Sequence, residues 1–178
     1  MRNKYLKLPD LEVLNQLFEV DPTSPSGLRW KSPNKYSKMK PGDVAGKKTH
    51  EGYWRVKVDY VDYTVHRIIY YMTNGQDPGN HMVDHMEDRS NNFKIRRATN
   101  AQNQANKKKR SGCSSAYKGV SYYEKNKKYK AGIMVDGNTI HLGYFVNEID
   151  AAKAYNKAAT EYFGEYALLN TIEARDSN

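Results

Sequence analysis

Residues 83–103 read VDHMEDRSNNFKIRRATNAQN. An apolar lead-in ends in Asp84-His85, a polar turn-forming run follows, and two asparagines, Asn91 and Asn92, close it. The basic strand-like piece KIRRAT then leads into the helix-like NAQNQANKK, with Thr99 or Asn100 placed to cap it and Asn103 on its first turn. The order predicted is strand, turn, strand, helix. Imidazole is the natural general base near neutral pH. A carboxylate and an amide oxygen are hard donors suited to Mg²⁺. Adjacent residues of a strand point to opposite sides, so Asp84 and His85 face different partners unless the strand ends there. A hairpin with a helix packed across it would bring Asp84 and Asn103 to one cation and turn His85 toward a substrate.

The rest of the chain bounds what that segment can serve. Its 178 residues have room for one domain or two small ones, and fifteen are tyrosines. One cysteine, Cys113, excludes a disulfide framework or a four-cysteine zinc site within the chain. There is no apolar run of the roughly 20 residues that span a bilayer, and MRNKYLKLPD lacks a signal-peptide core, so a soluble, cytoplasmic protein is expected. Formal net charge is +9. Twelve Lys and Arg against the single acid Glu124 fall between Lys94 and Lys130, interleaved with Tyr117, Tyr122, Tyr123 and Tyr129. Such clustering favours a polyanion, and no basic amphipathic helix points to a membrane surface.

Upstream, PDLEVLNQLFEV (9–20) has helical spacing, DPTSPSG (21–27) is a turn cluster and LRW a short strand. SPNKYSKMKPGD (32–43) reads as a loop. Trp54, Val56 and Val58 alternate with polar residues as in a half-buried strand. A hairpin turn is expected over Asp59–Asp62, then a helix through Val65, Ile68, Ile69 and Met72, ended by Asn74-Gly75. Downstream, KKKRSGCSS (107–115) looks like a linker. Three short strands follow, two of them joined by the hairpin signal Asp136-Gly137. An alanine-rich helix then starts near Asn147 and stops at Gly164, covering one face of the sheet through Ile149, Ala152, Ala159 and Phe163.

VDH (83–85), Asn91-Asn92, RRAT (96–99) and QNQ (102–104), preceded in order by LRW, KPGDVAG, GYWRVKV and VHRIIYYMTNG, resemble the phage and intron HNH homing endonucleases, with their ββα-metal core. The resemblance implies His85 as general base, Asp84 and Asn103 as ligands of a divalent metal, most readily Mg²⁺, and a phage-encoded enzyme in a bacterial host. His66 resembles a recurrent histidine outside the catalytic trio, either structural or phosphate-contacting. His50 and His81 read as loop residues. One departure stands out. The family's loop is about three residues longer and carries an Asn-Leu where this chain has Lys94-Ile95. Asn92 takes the bracing role from a shortened loop, or no residue does.

YKGV (117–120), YKAGI (129–133), IHLGYF (140–145), EIDAAKAYNKAA (148–159) and FGEYALLN (163–170) resemble the Apetala/ethylene-response-factor DNA-binding domain. Carried over, Lys118, Ser121, Tyr123, Lys128, Lys130, Thr139 and His141 would face DNA, with Met134 further along the second strand, and Tyr155 would reach a phosphate. Several arginines of the plant domains are Ser, Tyr, Met or Thr here, so forked reading of guanine is weaker. Tyr122 and Ile140 read as core.

The expectation is an α+β chain: a ββα-metal nuclease domain over 1–106, a basic linker over 107–114, and over 115–172 a three-stranded antiparallel sheet packed on one helix. Lys107, Lys108, Lys109 and Arg110 of the linker would track phosphates. The implied activity is metal-dependent cleavage of double-stranded DNA. A non-catalytic DNA-binding protein with a degenerate nuclease domain is the alternative, and an RNA-binding protein a third. Nothing in the sequence identifies a protein partner.

Overall fold

The computed structural model describes residues 6–33, 37–87, 91–109 and 111–172. The chain divides into two compact units, Met1–Ala98 and Thr99–Asn178. Both mix helix with small sheets.

In the first unit, helix α1 (Leu11–Leu17) is shorter than its periodicity predicts. The chain turns extended at Phe18, and strand β1 (Phe18–Val20) pairs antiparallel with β2 (Leu28–Trp30). Tertiary packing overrides helical spacing here. Phe18 is fully buried against Trp30, with ring centroids 4.7 Å apart. The connecting turn is held by Asp21, whose carboxylate accepts from Arg29 and Thr23 and is thereby pulled down to a pKa of about 2.

Strands β3 (Lys47–Lys48), β4 (Trp54–Val58) and β5 (Val61–Thr64) form an antiparallel sheet. The β4–β5 turn is Asp59-Tyr60, both with positive φ, inside the expected span. Helix α2 (Val65–Asn74) follows β5 without a loop and ends on Gly75 in the left-handed region, whose N–H donates to the Tyr71 carbonyl. Its buried Val65, Ile68 and Ile69 share one core with Leu14, Phe18, Leu28, Val56 and Val58. Strands β6 (Met82–His85) and β7 (Ile95–Ala98) make the expected hairpin, with Asp84 opposite Arg96 and His85 opposite Ile95.

The second unit opens with helix α3 (Asn100–Asn106). Thr99 caps it in a reciprocal box: Gln102 N–H donates to Thr99 Oγ1 and Thr99 N–H to Gln102 Oε1. The division between the two compact units falls just before this helix. Strands β8 (Val120–Tyr123), β9 (Lys128–Val135) and β10 (Asn138–Phe145) form an antiparallel sheet in the order β10-β9-β8. Asp136-Gly137 is the β9–β10 turn, with positive φ at both residues. Helix α4 (Glu148–Phe163), capped by Asn147, covers one face. Ala151, Ala152, Ala158 and Ala159 are buried there, and their small side chains let the helix lie close on the sheet. Asn156 and Asn170 exchange side-chain and backbone bonds, and Asn170 also brackets the backbone of Lys118.

Residues 107–109 and 111–116 form no helix or strand, yet they are tied to this unit. Lys109 Nζ donates to the carbonyls of Tyr117 and Val120, Ser114 Oγ accepts from Tyr122 N–H, and Glu148 accepts from Ala116 N–H. No helix among the described residues is long and apolar enough to cross a membrane.

Candidate active site

His85 ends β6 and is buried. Its Nε2 lies 3.0 Å from Asn92 Oδ1. The Asn92 Nδ2 donates to the Ser26 carbonyl at 2.8 Å, and a carbonyl can only accept. That contact fixes the amide orientation. Oδ1 must face His85 and can only accept, so Nε2 carries the proton of the neutral ring and Nδ1 carries the basic lone pair. Asn92 is itself buried. Its amide ties the end of the β6–β7 loop to the turn before β2 and sets the tautomer of the candidate base.

Two more rings surround His85. His66 of α2 meets it edge-on at 4.8 Å between centroids, and Tyr53 lies 6.0 Å away. His66 Nδ1 is buried without a hydrogen-bond partner among the described residues. Burial, then the nearby His85 and Arg67, lowers its pKa from 6.5 to about 3. It therefore stays neutral beside the candidate base.

A test in acid follows from that shift. Unfolded His66 takes its proton near pH 6.5 and the folded form only near 3, so between these values the unfolded state holds more protons. Its contribution to stability is complete above pH 6.5 and is lost as pH falls toward 3. Urea unfolding at pH 7 and pH 4 should show a loss on the order of 2–4 kcal/mol from this group. His66→Phe should flatten that difference. An unchanged pH slope in the variant would remove His66 as the cause.

Asp84, next to His85 on β6, is buried with its Oδ2 3.6 Å from Arg96 Nε. Arg67 donates to the carbonyls of His81 and Gly79, and Arg97 lies 2.8 Å from His81 Nδ1. These contacts brace the approach to β6 and make His81 a loop residue, as expected. The described residues hold no group of three or more His, Cys, Asp or Glu suited to a metal. Asn103 belongs to α3 in the second unit, where it is half-buried.

The residues expected to face DNA divide into two sets. Ser121, Tyr123, Lys128, Lys130, Thr139 and His141 share the sheet face opposite α4, together with exposed Met134. Lys118 and Tyr155 do not join them. The Lys118 ammonium is turned onto the carbonyl of Ala105 at the end of α3, and burial lowers its pKa to about 8. Tyr155 is core, 4% exposed against Gly119, and burial raises its pKa to about 12. Lys107 and Lys108 are exposed, Lys109 is spent on backbone carbonyls, and Arg110 lies outside the described residues. Ser26, Tyr53 and Arg67 were not legible as site residues.

The chain is 35% identical over 122 residues to a protein named "Uncharacterized HNH endonuclease L560" from Acanthamoeba polyphaga mimivirus. The match covers 66% of this chain and 63% of that protein, less than two thirds of its length. No family model matches the chain. No solved structure matches it.

Proposed function

We propose that this protein is a metal-dependent HNH endonuclease that hydrolyses phosphodiester bonds of DNA, with the sheet unit holding the target. The observation that carries this reading is the Ser26–Asn92–His85 relay. It gives the imidazole one defined tautomer, with a basic nitrogen at Nδ1, in a buried setting. A general base needs an oriented ring with a basic nitrogen, and this arrangement supplies both. The similarity to a viral protein named an HNH endonuclease supports the same chemistry. So does the strand, loop, strand, helix order of β6, β7 and α3, which is that of a ββα-metal motif.

In this reading His85 takes a proton from the attacking water. Asp84 would supply the anionic ligand of a divalent metal, and the sequence resemblance implies Asn103 as its amide ligand. The divalent cation, when bound, stabilises charge developing on the phosphate and leaving oxygen. The exposed Lys107 and Lys108 neutralise phosphates of double-stranded DNA.

The test is cleavage of supercoiled plasmid with Mg²⁺ and with EDTA. Nicked or linear product with Mg²⁺ alone is expected. Intact plasmid in both, with binding retained, would make the chain a non-catalytic DNA-binding protein. Asp84→Asn is the informative ligand variant, because Asp84→Ala would leave half-buried Arg96 facing a cavity. Asp84→Asn should raise the Mg²⁺ needed for half-maximal cleavage by about tenfold or more, or eliminate cleavage. An unchanged Mg²⁺ titration would move the metal elsewhere.

A further inference from the structure

Three rings meet on the open face of the second unit's sheet. Tyr123 of β8 and Tyr144 of β10 lie 5.6 Å apart between centroids, and Tyr144 lies 4.7 Å from His141. Both tyrosines are exposed, at 38% and 42%. The backbone explains why they meet. Strict alternation along β10 would turn residue 144 toward α4. The register shifts between His141 and Gly143, and Gly143 has a φ of 134°. That bulge reverses the phase. Tyr144 joins His141 on the open face, while Phe145 turns inward to the core of Val120, Ala131 and Ala152. Gly132, opposite His141, leaves room beside the imidazole.

The chemistry of this face is one of rings and ammonium groups. Lys128 stands opposite Tyr123, and Lys130 opposite both Ser121 and Tyr144. The three strands place no Asp, Glu or Arg on this side. Reading base edges in a duplex groove favours forked donors such as Arg, Asn or Gln. A ring offers its π-face, and the faces of paired bases are already stacked on one another. Unpaired bases have faces to give, and stacking on aromatic side chains beside a positive backbone track is how sequence-tolerant single-strand binding works.

We propose that this face binds single-stranded DNA, with Tyr123, Tyr144 and His141 stacking on bases and Lys128 and Lys130 meeting phosphates. The choice of DNA over RNA rests on the nuclease reading above; the stacking chemistry does not.

The full chain in EDTA, which prevents cleavage, is titrated against four fluorescent probes by anisotropy: oligothymidylate, oligouridylate, a mixed-sequence DNA strand and its duplex. The double variant Tyr123→Ser/Tyr144→Thr should weaken single-stranded DNA binding roughly tenfold or more, since each stacked base contributes appreciably. Duplex binding should change less than about twofold. Tyr123→Phe/Tyr144→Phe should retain single-strand affinity, because the ring and not the hydroxyl stacks. That pair also separates lost contact from lost fold. Equal losses for strand and duplex, no loss for either, or a loss in the Phe pair matching that of the Ser/Thr pair would overturn the proposal. So would preference for oligouridylate, which would make the ligand RNA. Because binding is read without metal, a chain that fails to cut plasmid can still pass, and one that cuts can still fail.

Discussion

His85→Ala should lower plasmid cleavage by about 10²–10⁴-fold, the range a positioned general base supplies, while DNA affinity stays within a few-fold. The amide of Asn92 sets the geometry of the base. Its Nδ2 is committed to the Ser26 carbonyl, so Oδ1 holds His85 Nε2–H and leaves Nδ1 as the proton acceptor. A water attacking phosphorus would lose its proton there. Nothing in this role contributes to DNA affinity, so rate and binding should separate. Because the ring is buried against His66 and Tyr53, His85→Gln should accompany the Ala variant, keeping volume while lacking the basic nitrogen. Asn92→Ala should fall between wild type and His85→Ala. It frees the tautomer and leaves the ring in place. Comparable cleavage by wild type and both His85 variants would take His85 out of the mechanism.

What the sequence made legible is local. Caps, turns and strand alternation are written in a few adjacent residues, so the β6–β7 hairpin, the Thr99 cap, the Asp136-Gly137 turn and the end of α4 at Gly164 all appear where expected. What failed depends on distant partners. The helix read over 9–20 stops at Leu17 because Phe18 finds Trp30 and β1 finds β2. The brace of His85 runs through the Ser26 carbonyl, sixty-six residues before Asn92, and a carbonyl leaves no mark in a sequence. The shortened loop raised the question of which residue replaces the missing asparagine, and only the hydrogen bonds of Asn92 address it. On the sheet face, alternation placed Ser121, Lys130 and His141 but lost Tyr144, since one bulge reverses the phase of everything after it. Lys118 and Tyr155 show the opposite limit. Their positions match a DNA-binding pattern, yet one caps a helix and the other fills the core.

Gly119→Ala should cost the second unit roughly 3 kcal/mol or more, combining a strained left-handed alanine with an overpacked core. Gly119 sits just before β8 with a φ of 75°, and a Cβ there would stand 1.9 Å from Tyr155 Cδ2. The ring cannot swing aside. Tyr155 is buried among Ala158, Ala159, Phe163 and Ile133, and Gly119 is itself tied down by its carbonyl, which accepts from Gly132 N–H. Either the start of β8 lifts from β9 or the ring tilts α4 off the sheet. Both movements disturb the face that carries Tyr123, so DNA binding should weaken together with stability. Tyr155→Ala alone should cost about 3–5 kcal/mol through the cavity it leaves. The double variant Gly119→Ala/Tyr155→Ala should cost less than the sum of the two, because the new methyl enters the space the ring vacated. The measurement is urea unfolding of the full chain, following the second unit's transition in all four members of the cycle. A Gly119→Ala variant within about 1 kcal/mol of wild type, or single effects that simply add, would mean that the ring and the glycine are not locked against each other, and that the start of β8 does not depend on this contact.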